Sequence, residues 1–171
     1  FVGPSASTLA LFGDKPRARA LARPQDIPVI PGTEGPTSAM AAHAFFAALP
    51  AGSGMLIKAI GGGGGRGIRI VRAASEIDAA WERCRSESTA AFGCGDVYVE
   101  RLLEHARHIE VQIVGDGSGT VVALGERECS LQRRQQKLIE MAPSPSLSAD
   151  ARVRLLRYAV RLGNAAHYAG V

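Results

Sequence analysis

Lysine is almost missing from this chain. Its 20 basic residues are 17 arginines and only three lysines, Lys15, Lys58 and Lys137. Aromatic residues are also scarce, at 5% of 171 residues, which leaves few platforms for stacked bases and weighs against nucleic-acid binding. The three cysteines, Cys84, Cys94 and Cys129, are an odd number with no C-x-x-C pair. A disulfide scaffold is excluded, zinc is disfavoured, and a reducing, cytoplasmic setting is expected. No run approaches the roughly 20 apolar residues of a membrane helix, and FVGPSASTLALFGDK at the start has neither a basic opening nor a cleavable apolar core. The chain does not open on methionine, and its final helix gives way to Gly170 near the end. Both ends read as cut, and a piece of a longer polypeptide is expected.

What is present fits an ordinary globular protein: 46% hydrophobic and 21% charged residues, too apolar for disorder. The net charge is +4, yet its position is more informative than its size. Between Arg127 and Arg161 stand eight cations (Arg127, Arg133, Arg134, Lys137, Arg152, Arg154, Arg157, Arg161) against Glu128, Glu140 and Asp150, a local +5. Such a stretch calls for an anionic ligand or for acidic neighbours absent from the sequence. Where arginine is so favoured, each retained lysine is a candidate for a place that requires a compact ammonium; chance retention is the competing reading.

The pattern predicts a helix capped by Asp14 that runs to Arg23, an extended or strand segment over Ile27–Gly35, and a helix over Ala39–Leu49. Short strands follow at Met55–Ile60 and Ile68–Arg72, with Gly61–Gly67 between them. A helix capped by Ser75 should end near Phe92, with Ile77, Trp81 and Cys84 at helical spacing. Val97–Leu103 reads as a strand, Arg107–Val114 alternates, and GDGSG turns into Thr120–Leu124 as a hairpin. Ser148 caps a last helix whose apolar stripe is Val153, Leu156, Ala159 and Val160. Hairpins beside helices predict an α+β architecture.

Five consecutive glycines, Gly61 to Gly65, followed by Arg66 and Gly67, sacrifice backbone entropy and so mark a place where bare backbone is useful. One such use is a flap of N–H donors over phosphate oxygens; an idle hairpin tip is the alternative. A P-loop would need Gly-Lys-Ser/Thr leading into a helix, which is absent. Gly62, Gly64 and Gly67 satisfy G-x-G-x-x-G, but the IRIVR that follows is a strand, so the dinucleotide reading fails. Lys58, two residues before the loop, is placed to meet phosphate charge or simply to snorkel from a strand. His108, Glu110 and Gln112 share one strand face, either solvated or part of a site. ERECSLQRRQQK, Glu126 to Lys137, is a solvated basic face or an oxyanion-binding wall.

Taken together, FVGPSASTLALFGDK, IPVIPGTEGP, LIKAIGGGGGRGIRIV, VYVERLLEHARHIEVQIVGDGSG and LGERECSLQRRQQKLIEMAPSPSL resemble the biotin carboxylase component of biotin-dependent carboxylases, of the acyl-CoA, acetyl-CoA and propionyl-CoA carboxylase α-chain type. These belong to the ATP-grasp superfamily. The strings cover essentially the whole chain in the family's order. The resemblance implies an incomplete ATP-grasp fold. Residues 1–29 would end an N-terminal domain, 30–103 would form a small lid subdomain with the glycine flap, and 104–171 would begin the larger antiparallel-sheet subdomain.

It also implies a site. Lys15 and Lys58 would hold nucleotide phosphate beneath Gly61, Gly62, Gly63, Gly64, Gly65, Arg66 and Gly67. Glu100 would accept from the adenine amino group, while the backbone of Arg101 and Leu103 holds the purine edge. His108 and Gln132 would lie near the ribose, and Lys137 near bicarbonate and the transferring phosphate, as the catalytic residue. Where the family commonly reads QRRHQK, this chain has Gln135, which hydrogen-bonds but cannot become cationic. The implied reaction is phosphorylation of bicarbonate by ATP with Mg²⁺ or Mn²⁺ to carboxyphosphate, followed by carboxylation of biotin on a carrier domain. The family's metal-binding glutamates would come after the last residue, so no metal ligand is assigned here. A carboxyltransferase would be the further partner, in an oligomeric parent, with neither nucleic acid nor membrane. LIEMAPSPSL leans toward the acyl-CoA group, although the acceptor is chosen by a transferase elsewhere. The rival readings are another bicarbonate-phosphorylating ligase, of the carbamoyl phosphate synthetase large-chain type, and a basic nucleic-acid-binding module.

Overall fold

The computed structural model describes residues 2–61, 67–133 and 136–171. Its helices are α1 (Ala6–Gly13), α2 (Lys15–Ala22), α3 (Ala39–Ala47), α4 (Ile77–Phe92) and α5 (Ala149–Ala165). Its strands are β1 (Met55–Ala59), β2 (Ile68–Val71), β3 (Val97–Arg101), β4 (Ile109–Asp116), β5 (Val121–Arg133), β6 (Gln136–Met141) and β7 (Ala169–Gly170). Helices and antiparallel sheets together give the α+β class that the hairpin pattern predicts. The chain divides into two compact units, one comprising Gly13–Ala20 and Val29–His105, the other the remaining residues. No described helix is long and apolar enough to cross a membrane.

In the first unit the sheet order is β2-β1-β3, antiparallel throughout. The sequence MLIKA puts Met55, Ile57 and Ala59 on one buried face and Leu56 and Lys58 on the other. Met55, Ile57, Val71, Val97 and Val99 meet Ala42, Ile77 and Cys84 in the core. Each of the larger side chains contributes roughly 1.5–3 kcal/mol by leaving water. Ser38 starts α3 by accepting from the Ala41 N–H at 3.2 Å. Asp14 does the same for α2, accepting from the Arg17 N–H at 3.0 Å.

One expectation for this unit needs correction. Ser75 does not cap α4; it lies inside a 3-10 turn, Ala74–Glu76. The Glu76 carboxylate fixes that turn by accepting from the N–H groups of Arg72 at 2.8 Å and Ala73 at 3.2 Å. Two bonds to an ionised group outweigh the one a serine hydroxyl offers. Of the two readings of Ile27–Gly35, the extended connector is the one observed, with a single bridge from Gly32 to Glu100. Pro28 and Pro31 lack the donors a ladder needs. Gly32 allows the close approach, because a Cβ there would stand 2.6 Å from the Val99 carbonyl oxygen.

In the second unit the sheet order is β6-β5-β4-β7. The charged string ERECSLQRRQQK turns out to be the second half of the 13-residue β5 and the start of β6. Alternation explains why it is so polar on both sides. Glu126 and Glu128 reach Ser144, Ser146 and Arg152, whereas Arg127 reaches Glu110 and Gln112. Arg134 and Gln135 lie outside the described residues. Ser148 caps α5 as expected, accepting from the Ala151 N–H at 3.2 Å. Val153, however, is 54% exposed and leaves the predicted stripe. The first turn of α5 is held by a polar anchor, Arg152 Nε donating to Glu126 Oε1 at 2.8 Å, and apolar burial resumes further along, up to the buried Gly163. The helix α1 has no counterpart among the predicted elements, because eight residues give barely two turns of periodicity.

Candidate functional site

The first unit brings two of the three lysines together. Lys58 lies on the non-core face of β1, opposite Tyr98 in the register with β3, and Leu56 is opposite Glu100. Alternation along β3 therefore sends Tyr98 and Glu100 to the side where Lys58 points. The Lys58 ammonium pairs with Glu100 Oε1, with the two side chains 20% and 5% exposed. The Tyr98 hydroxyl donates to Glu100 Oε2 at 3.1 Å. On α2, Lys15 and Arg19 are one turn apart on the same side. The Lys15 ammonium donates to the carbonyls of Ala59 at 3.4 Å and Ile60 at 3.3 Å, where β1 enters the glycine loop. Arg19 lies 5.8 Å from the Tyr98 ring centroid and donates to the carbonyls of Ile30 and Thr33.

The Lys15 and Lys58 ammonium groups lie close enough to repel one another beside the Glu100 carboxylate, in a half-buried place. Burial lowers the Lys15 pKa, and the Lys58 charge lowers it further, against a smaller opposing pull from Glu100 and Asp14. An anion arriving here would relieve both effects. Gly62 to Arg66 lie outside the described residues. The ends of the loop are fixed: the Ala59 N–H donates to the Gly67 carbonyl at 2.8 Å and the Ile60 N–H to the Asp96 carbonyl at 3.0 Å. The strand predicted after the loop is present as β2, so the rejection of a strand-to-helix dinucleotide motif stands.

Gly67 has φ +65°, and a Cβ there would stand 2.7 Å from that of Ala59. Gly67→Ala is expected to destabilise the unit by about 1–3 kcal/mol. The check is a fall in the urea midpoint at unchanged slope; an unaltered midpoint would mean that the hairpin relaxes freely.

Arg101 and Leu103 leave β3 in different ways. The Arg101 N–H donates to the Pro31 carbonyl at 2.8 Å, while Leu103, beyond the strand's end, is 46% exposed.

The second unit holds the other predicted residues. The Gln132 amide donates to His108 Nδ1 at 2.7 Å and to the Cys129 carbonyl at 2.8 Å, so these two are neighbours. Lys137 is paired with Glu110 Oε2 and lies 4.0 Å from Glu140. Arg127 donates to Glu110 Oε1 at 2.8 Å and to Gln112 Oε1 at 3.1 Å, and is 3.3 Å from Glu140. The hydrogen bond from Lys137, with a second from Arg127, lowers the Glu110 pKa. Glu110 in turn raises that of Lys137. The polar row His108, Glu110, Gln112 is thus neither idle nor merely wet.

Among the described residues, four cations of the basic run have carboxylate partners inside the chain. Arg127 and Lys137 pair with Glu110, Arg152 with Glu126, and Arg161 with Asp26 at 3.1 Å. The acidic neighbours that the local +5 called for come from earlier in the same sequence.

Among the described residues, Glu110, Cys129 and Glu140 each bring one possible ligand atom within 4.8 Å of the others. Cations already hold both carboxylates, and a thiol is a soft donor. The cluster therefore does not fit Mg²⁺, which takes hard oxygen ligands.

Sequence reasoning did not single out Tyr98 or Arg19, and it took Arg127 and Glu128 only as members of a charged string. Tyr98 stands two residues before Glu100 and Arg19 four residues after Lys15, spacings that share a face but do not name the partner of either side chain.

Residues 14–171 match the family described as carbamoyl-phosphate synthase L chain, ATP binding domain. The chain belongs to that family. Among curated proteins it is 51% identical over 168 residues to the pyruvate carboxylase of Bacillus subtilis, an alignment covering 98% of this chain and 14% of the relative. It is 44% identical over 169 residues to the human mitochondrial pyruvate carboxylase, with the same coverage. Among solved structures it is similar to the biotin carboxylase of Campylobacter jejuni in a β,γ-ATP complex, with a TM-score of 0.92 and 40% identity over 99% of this chain and 38% of that one. The biotin carboxylase domain of the Hydrogenobacter thermophilus 2-oxoglutarate carboxylase, in complex with MgADP, ADP and bicarbonate, gives a TM-score of 0.92 at 38% identity, over 99% and 37%. The chain spans about one seventh of the length of the curated relatives that it matches. The fold of this member of the carbamoyl-phosphate synthase L chain family is that of the biotin carboxylase ATP-grasp domain.

Proposed function

We propose that this chain is the ATP-binding part of a biotin carboxylase. In that reaction a bicarbonate oxygen takes the γ-phosphoryl group of ATP, ADP leaves, and the carboxyphosphate formed gives phosphate and CO₂, which the ureido nitrogen of biotin accepts. The observation that carries this reading is Lys15, bonded to the Ile60 carbonyl, beside Lys58, paired with Glu100, at the root of a glycine loop, within a chain of this family.

Lys15 and Lys58 neutralise polyphosphate charge, and the loop from Gly61 to Gly67 supplies backbone donors. Glu100 accepts from the adenine amino group, and the backbone of Arg101 and Leu103 meets the purine edge. His108 and Gln132 lie by the ribose. Lys137 stabilises charge on bicarbonate and the transferring phosphoryl group. Gln135 stands where relatives carry histidine and gives a neutral contact. Residues 30–103 act as the lid that excludes water from labile carboxyphosphate, residues 104–171 as the start of the larger subdomain, and 1–29 as the close of a preceding domain. Mg²⁺, which offsets phosphate charge, is held by residues other than the Glu110–Cys129–Glu140 group. A biotin carrier, a carboxyltransferase, an oligomeric parent and a cytoplasmic setting belong to the same proposal.

The test is ATP cleavage by the full-length protein. It should depend on both bicarbonate and biotin, whereas the 171 residues alone should show no bicarbonate-dependent cleavage. Stimulation by ammonia in place of biotin would move the assignment to the carbamoyl phosphate branch. Full turnover by the isolated 171 residues would refute the division of labour.

A further inference from the structure

On the face of β1 and β3 that carries Lys58 and Glu100, one polar group has no part in the nucleotide contacts described above. Tyr98 is 1% exposed and is the largest fully buried side chain among the described residues. Its hydroxyl donates to Glu100 Oε2 at 3.1 Å. It has little freedom to do otherwise, because the Arg19 guanidinium lies against the ring and is itself tied to two connector carbonyls. Burial and the neighbouring carboxylate push the phenol pKa upward, so the hydroxyl keeps its proton and remains a donor.

The two donors on Glu100 differ in kind. Lys58 is half-buried on the approach to the glycine loop and is the group that polyphosphate would attract. Tyr98 is enclosed and stays. A carboxylate whose one oxygen is permanently held has a fixed orientation and offers its remaining lone pairs only as acceptors.

We propose that Tyr98 is a specificity-determining positioning residue that fixes Glu100 so that the site selects a 6-amino purine nucleotide over a 6-oxo one. The proposal rests on the reading of Glu100 as the contact to the nucleobase. A 6-amino group gives the waiting acceptor a donor as Lys58 turns toward phosphate. A 6-oxo group sets oxygen against oxygen in a place with little water, and both are left without a partner. With the phenol oxygen removed, the carboxylate can rotate away from the clash, and the discrimination falls.

The experiment compares ATP with inosine triphosphate, its 6-oxo analogue, in the full-length enzyme. Steady-state cleavage and calorimetric binding are measured for the parent, Tyr98→Phe and Glu100→Gln. Tyr98→Phe keeps the ring in place and should raise the KM for ATP about tenfold while kcat stays within about twofold. It should also lower the ATP-to-ITP ratio of kcat/KM by about tenfold. If Tyr98→Phe yields no folded protein, Tyr98→Met, which fills the space without a donor, carries the same measurement. A lowered unfolding midpoint with an unchanged ATP-to-ITP ratio would make Tyr98 a core residue only and overturn the proposal. Glu100→Gln separates the two levels. If it leaves the ratio intact, the nucleobase reading of Glu100 is at fault; if it collapses the ratio and Tyr98→Phe does not, that reading stands and the role of Tyr98 falls.

Discussion

Lys58→Ala should lower kcat/KM for ATP in the full-length enzyme by roughly 100-fold or more. The ammonium sits on a short strand whose neighbours Ile57 and Ala59 are fixed in the core, so its position does not depend on a flexible stem alone. It is paired with Glu100 and stands close enough to Lys15 to depress that lysine's pKa. On the proposed reading its removal changes two things: polyphosphate would lose a charge-assisted contact, and the buried Glu100 carboxylate loses one of the two donors described for it. Lys58→Arg separates them, since it keeps the charge but not the compact shape. Both variants should retain a cooperative unfolding transition. Kinetics unchanged by Lys58→Ala would mean that the base of the flap has been misassigned.

The second large effect is on stability and concerns Glu128. This carboxylate is 1% exposed and accepts from Ser130, Ser144 and Ser146 and from Arg107. The hydrogen bonds from Ser146 and Ser144, followed by that from Arg107, pull its pKa down to about 2. A carboxylate whose folded pKa lies below its unfolded value of about 4.3 stabilises the fold fully above that value. The contribution fades as pH falls from there through about 2. Glu128→Gln should therefore lower the urea midpoint at neutral pH and flatten its dependence on pH between those values. Glu126, lowered chiefly by its bond from Arg152, acts in the same direction and leaves a residual slope. Curves for parent and variant that run parallel across the acid range would contradict this account.

Much of the first unit was legible because its signals are local. Short apolar runs such as MLIKA and VYVER give β1 and β3, aspartate marks the start of α2, and the glycine loop between strands rules out a P-loop. The second unit was harder. Along β5 both faces are polar, one for the Glu110–Arg127–Lys137 cluster and one for the serine loop and α5, so the alternation of apolar and polar residues that reveals a strand is missing. Val153 was misplaced for a related reason: the start of α5 is anchored by Arg152 on Glu126, a contact between residues 26 apart that periodicity does not encode. Within the site, Lys15 and Lys58 were visible as rare residues in meaningful settings. Tyr98 was not, because a tyrosine in a buried strand looks like core until its hydroxyl partner is known. The lean toward an acyl-CoA acceptor had no such support. LIEMAPSPSL is the end of β6 and a loop whose serines serve Glu128.

The three thiols differ enough to be used as reporters. Cys84 is buried, donates to the Gly67 carbonyl at 3.1 Å, and has its pKa pushed up to about 11 by burial. Cys129 is buried with its pKa also raised, again chiefly by burial, whereas Cys94 is exposed just past the end of α4. Alkylation needs an accessible thiolate. The native chain thus offers one attachment point for a fluorophore without any engineering, and uptake of reagent by the other two sulfurs follows the opening of each unit separately.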